Sequence, residues 1–76
     1  MKIDEAKEKI LSGVQLIVEV MHNPAELSEW ILWVREPSGK SFLLSDSDGK
    51  VIESSDVTQL CHALKDIGFR QATIVF

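Results

Sequence analysis

The sequence predicts a small α+β domain, a two-layer sandwich in which two helices cover one face of a mainly antiparallel sheet of four or five strands. Three observations lead to this prediction. Two segments place apolar residues at helical spacing, several short segments alternate apolar and polar residues as strands do, and glycine-containing turns separate most of them. The predicted order is α-β-β-β-β-α-β within a single small globular domain, residues 1–76.

The first helix is predicted over residues 3–12. Ile3, Ala6 and Ile10 recur on one face. Acidic residues begin the segment and lysines lie toward its end, which matches the helix dipole. Gly13 suits the position that follows a helix, because glycine adopts left-handed backbone angles without strain.

Four strands are predicted between the helices, at residues 14–21, 28–35, 41–45 and 50–53. The first two are joined by a connection at 22–26, in which Pro24 suits the start of a helical turn. Pro37-Ser38-Gly39 and Asp46-Ser47-Asp48-Gly49 are typical hairpin turns and join the remaining strands. Short connections of this kind predict an antiparallel meander.

The second helix is predicted over residues 55–67, where apolar residues hold a regular stripe. Ser54, Ser55 and Asp56 each suit its N-cap, Asp56 with Gln59 resembles a capping box, and Gly68 followed by Phe69 suits a Schellman motif at its end. Residues 70–76 alternate and form a last strand, so that the predicted strand order is 5-1-2-3-4. The predicted core contains one tryptophan together with Leu16, Val18, Val20, Leu60, Leu64, Ile67 and Ile74.

Composition and charge are those of a folded, soluble protein. Apolar residues make up 45% of the chain, charged residues 26%, and the net charge at pH 7 is −4, which argues against nucleic-acid binding through bulk charge. Cys61 is the one cysteine, so no disulfide forms within the chain. Because the first residues lack the apolar segment of a secretory signal and no segment suits a membrane span, we expect a cytoplasmic protein without membrane contact.

Two groups of polar residues raise metal-binding or catalytic hypotheses. Residues 44–55 match part of a calcium loop, but Leu44 and Ser55 stand where two strong ligands belong, so a hairpin turn is favoured. Cys61 and His62 are adjacent, and helical neighbours point about 100° apart. The apolar stripe predicts a buried Cys61 thiol. No catalytic, cofactor-binding or metal-ligating residue is predicted, and we expect neither an enzyme nor a cofactor.

The strand at 28–35 is apolar on both faces, whereas two helices are expected to cover only one. The uncovered face should therefore carry an apolar patch, and such patches usually mark contact sites. The residues of this predicted partner surface are Ile17, Met21, Trp30, Trp33 and Leu43, with one of the two tryptophans exposed. The uncharged, proline-free segment 71–76 offers a second route to pairing if it lies at a sheet edge.

These features favour a small non-catalytic interaction or regulatory domain that binds a protein partner or a second copy of itself as a homodimer. The alternative is a small RNA- or DNA-binding domain that stacks bases on an exposed tryptophan. Cations near the predicted face suit this alternative, namely Arg35, Lys40, Lys50 and Arg70. The order of elements superficially resembles a double-stranded-RNA-binding domain, but its basic signature is absent. Interleaved acidic residues make nucleic acid the less favoured partner without excluding it.

Overall fold

The computed structural model describes residues 1–76 and has the predicted order of helices and strands. The helices are α1 (Ile3–Leu11) and α2 (Val57–Ile67), and the strands are β1 (Ile17–Asn23), β2 (Glu26–Arg35), β3 (Ser41–Leu43), β4 (Glu53–Ser54) and β5 (Thr73–Val75). The sheet runs β3-β2-β1-β5, and β4 also pairs with β2. Every pairing between strands is antiparallel except that of β1 with β5.

The start of α1 is fastened to the strand region instead of being capped by a side chain. The Ile3 amide donates to the Ser45 carbonyl at 2.9 Å, and the Ser45 amide donates to the Met1 carbonyl at 2.8 Å. Ala6 is fully buried and marks the face of α1 that packs against the core. Backbone groups that leave water need a hydrogen-bond partner, and the bonds to Ser45 meet this need and so hold the start of α1 in place.

The connection between β1 and β2 is a tight hairpin, not the longer link with a helical turn that the sequence suggested. β1 begins at Ile17 and continues to Asn23, which pairs with Glu26. The Asn23 side-chain oxygen accepts from the Ala25 amide at 2.9 Å, an Asx turn that reverses the chain within two residues.

The predicted strand order is wrong at β4. The Leu44 amide still donates to Leu32 of β2 at 2.9 Å, but at Ser45 the chain leaves β2 for its bonds to the first residues. After the turn at 46–49, β4 returns and pairs with β2 at Trp30 and Ile31. β3 and β4 therefore share one edge of β2, and β4 is not a further strand beyond β3.

Of the N-cap candidates for α2, the structure selects Asp56, and the predicted Schellman motif at its end is confirmed. One oxygen of the Asp56 side chain accepts from the amides of Thr58 (2.9 Å) and Gln59 (3.4 Å). At the other end, Gly68 has φ +119°, and the Phe69 amide donates to the Leu64 carbonyl at 3.0 Å. Buried Phe69 then closes the Schellman motif with an apolar contact, so both ends of α2 are fixed.

Both helices pack on the same face of the sheet. The buried cluster joins α1, α2 and that face, and its members are Ala6, Val18, Val20, Leu32, Val34, Leu44, Leu60, Leu64, Ile67 and Phe69. Five of the seven named core residues are buried as predicted, while Leu16, which precedes β1, is only partly buried. The prediction for Ile74 is wrong: it is 38% exposed because β5 lies at the sheet edge.

Neither helix is long and apolar enough to cross a membrane.

Candidate functional site

The sheet face that points away from the helices carries four of the five residues of the predicted partner surface. Trp33 on β2 lies opposite Leu43 on β3, and Met21 on β1 lies opposite Ile31. Ile17, the first residue of β1, pairs with Arg35, the last residue of β2. Residues that pair directly across strands share a face. We call this face the open face, and the apolar side chains Ile17, Met21, Ile31, Trp33 and Leu43 the open-face patch.

Trp30 does not belong to the open-face patch, because it points to the helix side of the sheet. It packs against the core cluster and stacks on His22, with ring centroids 3.8 Å apart and planes inclined by 28°. Phe76 meets it edge-on at 6.3 Å. Trp33 is thus the tryptophan of the open face.

The open-face patch has a buried centre and a more accessible border. Ile31 is only 4% exposed although it lies outside the core cluster, and its cross-strand partners are Met21 and Glu53. Ile17 is 55% exposed, and Met21, Trp33 and Leu43 are half-buried. A partner that covers this patch would remove further apolar area from water, which is the main favourable term in association.

Two charged side chains of the open face are paired with each other, and a third has a polar partner. Arg35 Nη2 lies 2.9 Å from Glu19 Oε1, and Glu19 is the cross-strand neighbour of Trp33. At the other end of the face, Glu53 accepts from the Asn23 side-chain amide at 2.9 Å. Because these polar groups already have partners, the apolar side chains are the part of this face that remains available for contact with another molecule.

Glu26, at the β1–β2 hairpin, has an altered acidity. Its carboxylate accepts from the Ser28 hydroxyl at 2.7 Å and from the Ser28 amide at 3.4 Å. These hydrogen bonds, the hydroxyl first, hold the pKa of Glu26 below its ordinary value of 4.5, because they stabilise the charged form. The carboxylate is fully exposed, so it serves the hairpin conformation and not an enclosed site.

The turn at 46–49 uses its aspartate as a backbone acceptor. Asp46 Oδ1 accepts from the amides of Asp48 (2.9 Å) and Lys50 (3.0 Å), and the Asp46 amide donates to the Lys50 carbonyl at 2.8 Å. This is the hairpin turn that the sequence favoured over a calcium loop. No group of three or more His, Cys, Asp or Glu side chains is arranged to hold a metal ion.

Cys61 is exposed, so the prediction of a buried thiol is wrong. The buried stripe of α2 runs through Leu60, Leu64 and Ile67, and Cys61 lies on its flank. There it lines a groove of about 450 Å³ between α2 and residues 69–72. His62 is exposed as well, one helical position away.

Sequence reasoning missed two residues of the open face. Ile31 forms the centre of the patch, and Val75 on β5 lies opposite Met21 and is half-buried. Their alternation was visible, since Ile31 is in phase with Trp33 and Val75 with Thr73. What could not be read from the sequence was the face of the sheet on which the helices pack.

No protein-family model matches this chain, and no curated protein or solved structure matches it significantly.

Proposed function

We propose that the protein is a small, non-catalytic interaction or regulatory domain that binds a protein partner through the open-face patch. The observation that carries the proposal is the set of apolar side chains on a sheet face that no helix covers. Tryptophan and methionine are enriched in the centres of protein interfaces, and Trp33 and Met21 supply both here.

The charges of this face favour protein over nucleic acid. Arg35, the cation on the face itself, is engaged by Glu19 at 2.9 Å. A nucleic-acid surface needs cations that are free to neutralise phosphates, and the chain as a whole has a net charge of −4. A protein partner requires no such surplus of positive charge.

The arrangement of Cys61 and His62 supports a non-catalytic domain. A cysteine nucleophile needs a base within hydrogen-bond reach, whereas these neighbours on α2 diverge by about 100°. A cytoplasmic location agrees with the single cysteine, because small domains of oxidising compartments are commonly held by disulfides.

The test compares binding to the wild-type chain and to Ile17→Asp. Each is immobilised, a bound protein is identified from extracts of the native host, and its purified form is titrated while backbone amide shifts are followed by nuclear magnetic resonance. We expect the shifts to concentrate at Met21, Ile31 and Trp33. Ile17→Asp should weaken binding at least about tenfold, because it places a charge on the apolar contact.

Leu11→Asp is the matched control, because Leu11 is 88% exposed and lies on α1, on the opposite side of the sheet. It should bind as the wild type does, with weak dependence on salt. Shifts confined to the helix side, or equal loss in both variants, would contradict the proposal. Binding of single- or double-stranded RNA or DNA with a steep salt dependence would favour the alternative function instead.

A further inference from the structure

The outer edge of β5 is an unpaired strand edge. β5 pairs with β1 on one side, and no strand lies on its other side. The run Gln71–Phe76 contains neither a charged residue nor a proline. Natural sheets usually protect exposed edges with such residues, because unpaired backbone groups are a template for another strand. The edge is therefore chemically ready for strand addition.

Apolar recesses lie beside this edge on the helix side. Cys61 and Lys65, on the flank of α2, line two grooves. One groove, of about 450 Å³, includes Leu64 and Ala72, and the other, of about 350 Å³, includes Val57 and Ile74. A strand added to β5 would place alternate side chains against these grooves.

The chain itself carries side chains that suit the grooves. Ile74 lies on the helix side, since it pairs with buried Val20, and by alternation Ala72 and Phe76 share that side. Phe76 is 96% exposed and Ile74 is 38% exposed. Each molecule thus carries both the grooves and two apolar side chains, Ile74 and Phe76, that are large enough to fill them.

We infer that a second copy of this chain binds the β5 edge, with the two β5 strands antiparallel about a two-fold axis at Ile74, the middle residue of β5. An axis normal to the sheet keeps every residue on its own face. Ile74 then lies opposite Ile74 of the second copy. Phe76 of each copy lies opposite Ala72 of the other, at the groove between α2 and residues 69–72. The two sheets become one continuous sheet.

The self-complementary edge favours a second copy over an unrelated strand. An uncharged strand does not repel its own copy. A single two-fold axis also places Phe76 of each copy at the groove between α2 and residues 69–72 of the other. This inference does not depend on the open-face patch, which lies on the other side of the sheet.

The test is sedimentation equilibrium of the wild type, Ile74→Lys and Phe76→Ser across micromolar concentrations. We expect the wild type to be dimeric. Ile74→Lys places two like charges directly opposite each other and should raise the dissociation constant at least about tenfold. Phe76→Ser should also weaken the dimer, and because Phe76 is 96% exposed we expect the monomer to keep its fold. Far-ultraviolet circular dichroism verifies the fold of each variant.

A charge-swap pair makes the test specific to this register. Ile74→Glu alone should be monomeric, whereas its mixture with Ile74→Lys should form a heterodimer, because opposite charges then meet at the axis. Ile17→Lys, on the open face, should dimerise as the wild type does. A wild-type chain that is monomeric at hundreds of micromolar would overturn the inference. So would a dimer that survives both Ile74→Lys and Phe76→Ser, or one that Ile17→Lys abolishes.

Discussion

At the scale of single residues, Glu26 links the hairpin conformation to pH. Its folded pKa is lowered by the Ser28 hydroxyl and then by the Ser28 amide. The ionised carboxylate therefore contributes stability above the unfolded-state pKa, and this contribution is lost as the pH falls through the lower folded pKa. Because the group is fully exposed, the effect concerns local hairpin geometry more than global stability.

We predict that Ser28→Ala moves the pKa of Glu26 upward toward its ordinary value, because the stronger of the two donors is removed while the amide remains. The measurement is a pH titration of the side-chain carboxyl carbon by nuclear magnetic resonance. Ser38→Ala, in the exposed turn between β2 and β3, should leave the titration of Glu26 unchanged. Identical titration curves for Ser28→Ala and the wild type would rule out the hydroxyl as the cause.

At the scale of elements, α2 depends on its N-cap. Asp56 satisfies two of the amide groups that a helix start leaves without partners. We predict that Asp56→Ala lowers the free energy of unfolding by about 1 kcal/mol, measured by urea denaturation. α2 is the helix that supplies Leu60, Leu64 and Ile67 to the core, so its loss of stability should be seen in the global transition.

Asp66→Ala is the control for this change. Asp66 is an exposed aspartate in the last turn of the same helix, where a negative charge does not favour the helix dipole. Its replacement should leave the free energy of unfolding within about 0.5 kcal/mol of the wild type. Equal destabilisation by both substitutions would mean that the cap does not hold the helix.

At the scale of the whole molecule, stability should be tied to self-association. Only 12 of 76 residues are buried, so the core is small and association is one of the few further sources of stability. If two copies pair through β5, a hundredfold rise in protein concentration should raise the apparent free energy of unfolding by about 1–3 kcal/mol. Urea denaturation at two concentrations measures this shift, and Ile74→Lys should abolish it. A wild-type midpoint independent of concentration would contradict it.

Patterns in the sequence predicted several features that depend on residues close together in the chain. The stripe through Leu60, Leu64 and Ile67 has helical spacing, and Val18 and Val20 alternate as strand residues do, so their burial was correctly predicted. The C-cap at Gly68 and the turn at 46–49 were equally readable, because they depend on residues only a few positions apart, whereas the Asx turn at Asn23 was not predicted although it is just as local.

The remaining features depend on where elements meet. Whether Cys61 is buried depends on how α2 lies over the sheet, and Ile74 lost its cover because β5 is at the edge. Trp30 and Trp33 could not be told apart, since both phases of β2 are apolar and only the helix side distinguishes them. The position of β4 follows from the bond between Ser45 and the first residues of the chain, which no local pattern reveals.

The parallel pairing of β1 with β5 also sets an order of events during synthesis. β1 is made early, yet its partner residues Thr73–Val75 leave the ribosome only after both helices and all the other strands. Until β5 has formed, β1 is itself the unpaired edge of the sheet, and Val20 has no neighbouring strand on that side. The nascent chain can form its hairpins and helices as they emerge, but the sheet closes last, through the strand pairing that spans the longest stretch of chain.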